Sequence, residues 1–202
     1  MTDPPLVLAS ASPRRRELLD QLGVRFLVDP AEIDESRHDR EPPGDYVLRM
    51  AREKALAVAA RFGDKDRVVL AADTTVALDD DVLGKPRDHF DGLAMLALLS
   101  GRTHSVFTAV CLHGPEGISS ELVETRVEFI QLSRATCEAY LATDEPWDKA
   151  GAYAIQGMAG AFVRSIHGSY SNVVGLPLCE TWQLLQAHGV ATMLGPVAQL
   201  TS

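Results

Sequence analysis

The stretch Leu6-Val7-Leu8-Ala9-Ser10-Ala11-Ser12-Pro13-Arg14-Arg15-Arg16 holds a strand, a turn and the start of a helix. Its first four residues form a short continuous apolar run, as expected of a buried strand. Ser12 suits the N-cap and Pro13 the first helical position, and Gly23 suits the exit of a helix that runs to Leu22.

Reading outward, residues 29–43 are polar, acidic and Pro-bearing, a long loop. Asp45 to Phe62 has helical periodicity and ends at Gly63. Val68-Val69-Leu70-Ala71-Ala72 is a second buried strand, which Asp73 ends. Asp79-Asp80-Asp81 makes a turn between short strands at Thr75–Leu78 and Val82–Gly84, and the helix Asp91–Leu99 exits through Gly101. Two long β segments follow, Ser105–His113 and Leu122–Leu132, joined by the turn Gly114-Pro115-Glu116-Gly117. In the second, Val123, Thr125, Val127 and Phe129 alternate with Glu124, Arg126 and Glu128. A helix at Arg134–Ala142, a Gly-rich stretch from Gly151 to Gly160, a strand at Ala161–Ile166 and a last helix at Leu178–His188 complete the order. This succession predicts a mixed α/β (α+β) protein of two lobes with flanking helices and a central cleft. Residues 1–190 are expected to form one domain, and 191–202 a loose tail.

The 202 residues carry 19 Lys+Arg against 28 Asp+Glu, a formal net charge of −9, and 46% are hydrophobic. The apolar content excludes global disorder. A chain this acidic repels nucleic acid, so no nucleic-acid partner is expected, and any polyanionic ligand must be met by a local cationic cluster. Cys111, Cys137 and Cys179 are far apart with no CxxC pair, which suits buried thiols in a reducing compartment. The segment MTDPPLVLASAS has no basic region ahead of its apolar run, and no 18-residue apolar stretch occurs elsewhere. Neither a signal peptide nor a membrane partner is expected, and a cytoplasmic location is.

Three features point to chemistry. Arg14, Arg15 and Arg16 fill a helical first turn, where the macrodipole already places positive charge. A bound anion would turn that unfavourable arrangement into a favourable one, since strand-to-helix turns are ready phosphate sites. The alternative is a solvated arginine cluster, partly compensated by Glu17 and Asp20. Lys54 falls within the apolar stripe of Val47, Met50, Ala51, Ala55, Val58 and Phe62, so it either finds a buried partner or snorkels outward. Asp73 at the end of a core strand, Asp34-Glu35 in the long loop and Lys85 before Pro86 supply hard oxygen ligands for Mg²⁺ or Mn²⁺ and ammonium groups for phosphate. Asp73 also reads as a plain polar strand end, and the Asp79–Asp81 run as a solvated turn. There is no P-loop, no dinucleotide fingerprint after a strand and no nucleophile elbow. No zinc centre is expected either, because the histidines lack HxH or HxxxH spacing. Gly168-Ser169-Tyr170-Ser171 reads as a turn rather than a serine nucleophile.

Taken together, Ala9-Ser10-Ala11-Ser12-Pro13-Arg14-Arg15, Ala51-Arg52-Glu53-Lys54-Ala55, Ala72-Asp73-Thr74, Gly84-Lys85-Pro86, Ser100-Gly101 with His104 and Thr108, Asp148-Lys149-Ala150-Gly151-Ala152-Tyr153, Ile155-Gln156-Gly157, and Gly168-Ser169-Tyr170 followed by Val173-Val174-Gly175-Leu176-Pro177 resemble the Maf family. The likeness runs from about Leu6 to His188. The resemblance implies a two-lobed, inosine-triphosphatase-like fold and a nucleoside triphosphate pyrophosphatase that works with a divalent cation as a homodimer. It further implies Asp73 as general base, with Lys54 and Lys85 beside it. Ser10, Ser12, Arg14, Arg15, Thr74 and Gln156 would bind substrate, and Glu35 with Asp73 would hold Mg²⁺ or Mn²⁺. Arg14, Thr74 and Gln156 match the subgroup acting on dTTP and UTP, whereas a sibling subgroup acting on 7-methyl-GTP has Trp and Glu at the positions of Arg14 and Gln156. Chemistry agrees with that division: a glutamine amide both donates to a pyrimidine O4 and accepts from N3–H, while a carboxylate only accepts. The rival readings are a purine triphosphate pyrophosphatase and a non-catalytic nucleotide sensor that regulates septum formation.

Overall fold

The computed structural model describes residues 6–62, 67–79 and 81–195. Gly63, Asp80 and residues 196–202, on which parts of the sequence reading fall, lie outside the described residues. The elements in order are β1 (Leu6–Leu8), α1 (Pro13–Gln21), β2 (Phe26–Val28), α2 (Pro43–Ala59), β3 (Val68–Leu78), β4 (Asp81–Leu83), α3 (His89–Leu99), β5 (Thr103–Gly114), β6 (Gly117–Phe129), α4 (Arg134–Leu141), two 3₁₀ turns (Ala150–Ala152 and Met158–Phe162), β7 (Val163–His167), α5 (Tyr170–Val174) and α6 (Leu178–Ala187). The expected mixed α/β class is what these elements form.

Among the described residues, seven strands form one mixed sheet in the order β2-β1-β3-β5-β6-β7, with β4 paired to β3. β1 runs parallel to both β2 and β3, and every other pairing is antiparallel. Three apolar clusters hold helices to the sheet. Val47, Ala51, Ala55 and Val58 of α2 pack on Val69, Ala71, Ala109 and Cys111 on one face. Leu18, Leu19, Leu184 and Leu185 of α1 and α6 cover Leu6, Leu8, Leu70 and Leu112 on the other. Towards the far end, Leu96 and Leu99 of α3 and Tyr140 and Leu141 of α4 surround Phe129. Each fully buried aliphatic or aromatic side chain of this kind contributes about 1.5–3 kcal/mol.

One detail of β3 creates the cleft. Along a single edge, β3 bonds β1 at Val68–Leu70 and β4 at Val76–Leu78. Between these, Ala71–Thr75 has no strand on that edge, while its other edge is paired continuously to β5. Asp73 therefore does not end a strand, contrary to the sequence reading. It sits in the middle of an eleven-residue strand. The apolar run stops there, but β-branched Thr74 and Thr75 keep the ladder going opposite Thr108 and Phe107.

Other departures are local. β2 lies in a stretch for which the sequence predicts no element, and α5 begins within Gly168–Ser171, which reads as a turn. Cys111 and Cys137 are buried as expected, but Cys179 is exposed. In the described part of the expected tail, the Met193 N–H donates to Leu22 O at 3.0 Å, and Trp182 Nε1 donates to Thr192 Oγ1 at 3.1 Å. Among the described residues no helix is long and apolar enough to cross a membrane.

Candidate active site

The open edge of β3 forms the floor of a cavity of about 540 Å³. Side chains alternate across a strand, so Asp73 points to the α2 face and Thr74 to the opposite one. Both line the cavity because no strand covers this edge.

On the α2 side, Lys54 is 8% exposed and Asp73 9% exposed. The Lys54 Nζ donates to Asp73 Oδ1 at 2.6 Å and stands 2.6 Å from Glu35 Oε1. The helical stripe thus buries its lysine with a partner, which settles the choice left open by periodicity. Glu35 comes from the loop before α2, and α2 pins that loop. Tyr46 Oη donates to Glu35 O at 2.9 Å, and Arg49 Nη2 donates to Ser36 O at 3.0 Å. Arg49 also holds Glu41 at 2.7 Å, which lowers that carboxyl to a pKa of about 2. Burial alone would raise the Glu35 pKa, but Lys54, with Lys85 and Arg15 further off, keeps it below the ordinary value. Asp34 turns to the backbone two residues on instead and accepts from Ser36 N–H at 2.9 Å.

On the other side, Arg15 is gripped by three acceptors. Its Nε donates to Gly175 O at 2.8 Å, Nη1 to Ser10 Oγ at 3.3 Å and Nη2 to Thr74 Oγ1 at 3.0 Å. One N–H on each terminal nitrogen is left for a ligand. Desolvation pulls the guanidinium below its ordinary pKa, and the charge of Asp73 opposes that. Gly175 has φ +124°, and a Cβ there would lie 3.5 Å from Thr74 Oγ1 and 3.7 Å from Arg15 Nε. A side-chain-free residue at this φ lets its carbonyl reach the guanidinium. Thr74 is fixed in turn by Thr108 Oγ1 at 3.0 Å, and Thr108 donates to Asn172 O at 2.9 Å. Ser12 occupies the N-cap of α1, but its hydroxyl caps nothing; its N–H donates to Ser10 Oγ at 3.2 Å. Pro13 carries no N–H and the Arg16 N–H donates to Ser12 O at 3.3 Å, so among the described residues it is the Arg14 and Arg15 N–H groups that this turn leaves open beside the arginines. Arg16 is exposed and does not line the cavity.

Every residue named from the sequence as catalytic, substrate-binding or metal-holding lines this one cavity: Ser10, Ser12, Arg14, Arg15, Glu35, Lys54, Asp73, Thr74, Lys85 and Gln156. Lys85 and Gln156 form no hydrogen bond or ion pair among the described residues. The sequence reading gave no role to Asp148 and Lys149, which also line it. Asp148 pairs with Lys149 and, at 3.6 Å, with Arg14 on the opposite wall. Their signal was the Asp-Lys pair just before the Gly-rich stretch. Five cations (Arg14, Arg15, Lys54, Lys85, Lys149) face three carboxylates (Glu35, Asp73, Asp148), so a chain of net charge −9 has a positive cleft. Such a site attracts a concentrated anion.

Comparison with known proteins extends over nearly the same residues. The Maf-like protein family profile matches residues 5–188. The dTTP/UTP pyrophosphatase of Anaeromyxobacter sp. is 57% identical over 189 residues, covering 91% of this chain and 89% of that one. That of Methylobacillus flagellatus is 52% identical over 186 residues, covering 92% and 94%. Among solved structures, the nucleoside-triphosphatase / dITP/XTP pyrophosphatase of Mycobacterium abscessus overlaps 61% of this chain and 73% of its own at 20% identity, with a TM-score of 0.40. That overlap is partial, whereas the sequence matches span the whole cleft. The chain belongs to the Maf-like protein family.

Proposed function

We propose that this protein hydrolyses dTTP and UTP, and related pyrimidine nucleoside triphosphates, to the nucleoside monophosphate and pyrophosphate. The observation that carries this reading is the meeting of Lys54, Asp73 and Glu35 on one wall with Arg15 and Thr74 on the other, across a single cavity. Arg15, Lys85 and the open first turn of α1 would hold the triphosphate tail. Asp73 Oδ1 is bound to Lys54, which fixes the carboxylate, and Asp73 Oδ2 would take the proton of the attacking water. Gln156, with its amide uncommitted, would read the pyrimidine O4 and N3–H edge.

A divalent cation, Mg²⁺ or Mn²⁺, belongs to this reading. The donor chemistry suits it. Glu35 Oε1 and Asp73 Oδ1 both lie 2.6 Å from the Lys54 ammonium, so the two carboxylates are neighbours, and each keeps lone pairs that no protein group uses among the described residues. No group of three or more His, Cys, Asp or Glu is gathered there among those residues. An ion with two carboxylates that takes its remaining ligands from phosphate and water fits such a set. When bound, it would neutralise charge on the phosphate oxygens. A single domain over residues 1–190, a homodimer, a cytoplasmic location and the absence of nucleic-acid or membrane partners complete the proposal.

The test is pyrophosphate release across a panel of dTTP, UTP, CTP, ATP, GTP and 7-methyl-GTP with Mg²⁺ or Mn²⁺. Preference for dTTP and UTP is expected. A strong preference for 7-methyl-GTP would overturn the pyrimidine reading, and binding without turnover would favour the sensor.

A further inference from the structure

The residue proposed to read the base, Gln156, is itself exposed, and nothing in its own side chain holds it in place. Its backbone is held instead. Gly157 N–H donates to Ala154 O at 3.1 Å and closes a turn with Gln156 near its apex. Both flanks of that turn are tied to two side chains outside the cavity lining. On one flank, Ala154 N–H donates to Tyr140 Oη at 3.2 Å. On the other, Met158 N–H donates to Glu145 Oε2 at 2.9 Å, and Ala159 N–H to Glu145 Oε1 at 3.3 Å. The two anchors are joined, because Tyr140 Oη donates to Glu145 Oε1 at 2.8 Å.

The local sequence is shaped around this clamp. A Cβ on residue 157 would sit 2.1 Å from Glu145 Oε2, so only glycine lets the carboxylate reach inside the turn. Tyr140 is 4% exposed and its ring stacks edge-on against Phe162 at 5.1 Å, which fixes the hydroxyl from the core side. Charge-assisted bonds to backbone N–H groups are the stronger kind, and a carboxylate has capacity for all three donors here.

Resting on the reading of Gln156 as the base contact, we propose that Glu145 is a positioning residue for base selection, which with Tyr140 fixes the Ala154–Gly157 turn and so sets where the Gln156 amide stands in the cleft. Glu145 touches no reacting atom in this scheme. It acts through the turn. Its removal frees three donors and loosens the amide that must match the base edge, so discrimination falls while the triphosphate-handling wall around Arg15, Lys54 and Asp73 is left intact.

The experiment measures kcat and KM for UTP and ATP in the wild type and in Glu145→Ala, Glu145→Gln and Tyr140→Phe. The ratio of kcat/KM for UTP over ATP is the readout. Glu145→Ala is expected to lower it by about tenfold or more, the scale at which a polar edge is matched or left unmatched, chiefly by raising KM for UTP. Glu145→Gln keeps one acceptor oxygen and should fall between Ala and wild type. Tyr140→Phe retains the ring and the core, so it tests the clamp even where Glu145→Ala fails to fold, and it should lower the ratio in the same direction. Variants that keep the wild-type ratio, or that lose both activities by the same factor, overturn the proposal. A wild type without base preference overturns the pyrimidine reading itself, and the proposal with it.

Discussion

The Lys54 ammonium lies 2.6 Å from Asp73 Oδ1, with both side chains about nine-tenths buried, at the stretch of β3 whose edge between β1 and β4 carries no strand. A buried ion pair of this kind is weak evidence for stability, since its desolvation offsets much of its attraction. The pair lies at a cleft floor and is shared with a second carboxylate from Glu35, which is where the proposed reaction would use it.

Lys54→Met keeps an unbranched side chain one atom shorter and removes the charge. Asp73 would be left buried without its counter-ion, a loss that costs about 3–5 kcal/mol. Urea unfolding should show a lower midpoint with an unchanged slope. A loss below about 1 kcal/mol would mean that the pair is exposed to water in solution.

Arg15→Lys replaces a planar fork, which now serves Gly175 O, Ser10 Oγ and Thr74 Oγ1 together, with a single ammonium. Lysine cannot reach all three and still offer two N–H groups to a phosphate. A rise in KM of about tenfold or more is expected from steady-state kinetics. An unchanged KM would remove Arg15 from substrate binding.

Gln156→Glu exchanges a donor-acceptor edge for one that only accepts. The variant should lose about tenfold or more in kcat/KM for UTP and gain relative activity on a guanine nucleotide. The measurement is a two-substrate competition assay, and equal preference before and after the change would contradict the base-reading role.

His104 supplies a stability prediction. It is 2% exposed, bonded through Nε2 to Tyr153 Oη at 2.8 Å, and burial lowers its pKa from the usual 6.5 to about 4. Between those values the unfolded chain binds a proton that the folded chain does not. Stability from this group is therefore full above pH 6.5 and is lost as pH falls from 6.5 towards 4, at up to about 1.4 kcal/mol per pH unit. Unfolding midpoints of wild type and His104→Gln, measured from pH 7 to pH 4, should converge as the pH drops. Parallel curves would contradict the shift.

Much of this site was legible from the sequence because its signals are local. Lys54 broke a helical stripe, and three arginines crowded one helix start, so each was odd within its own element. Asp73 stands out for a similar reason, but the length of its strand does not: the apolar run ends at Ala72, and the β5 ladder that carries Thr74 and Thr75 leaves no periodic pattern. Phe26–Val28 gives no strand signal because a three-residue edge strand with Leu27 and Val28 exposed has neither a long apolar run nor alternation. The five-residue helix at Tyr170–Val174 is too short to show a period. The Glu145 clamp and the Asp148–Arg14 pair depend on residues brought together only by the fold, and such contacts leave no local pattern.

On the proposed reading, the charges converging on the β3 gap split a nucleoside triphosphate between its α- and β-phosphates, with Asp73 as the base. ³¹P NMR of dTTP turnover by wild type and Asp73→Asn tests it directly. The wild type is expected to give dTMP and pyrophosphate, and a folded Asp73→Asn variant the same products at least about a hundredfold more slowly. Formation of dTDP and orthophosphate, or an undiminished rate in Asp73→Asn, would contradict it.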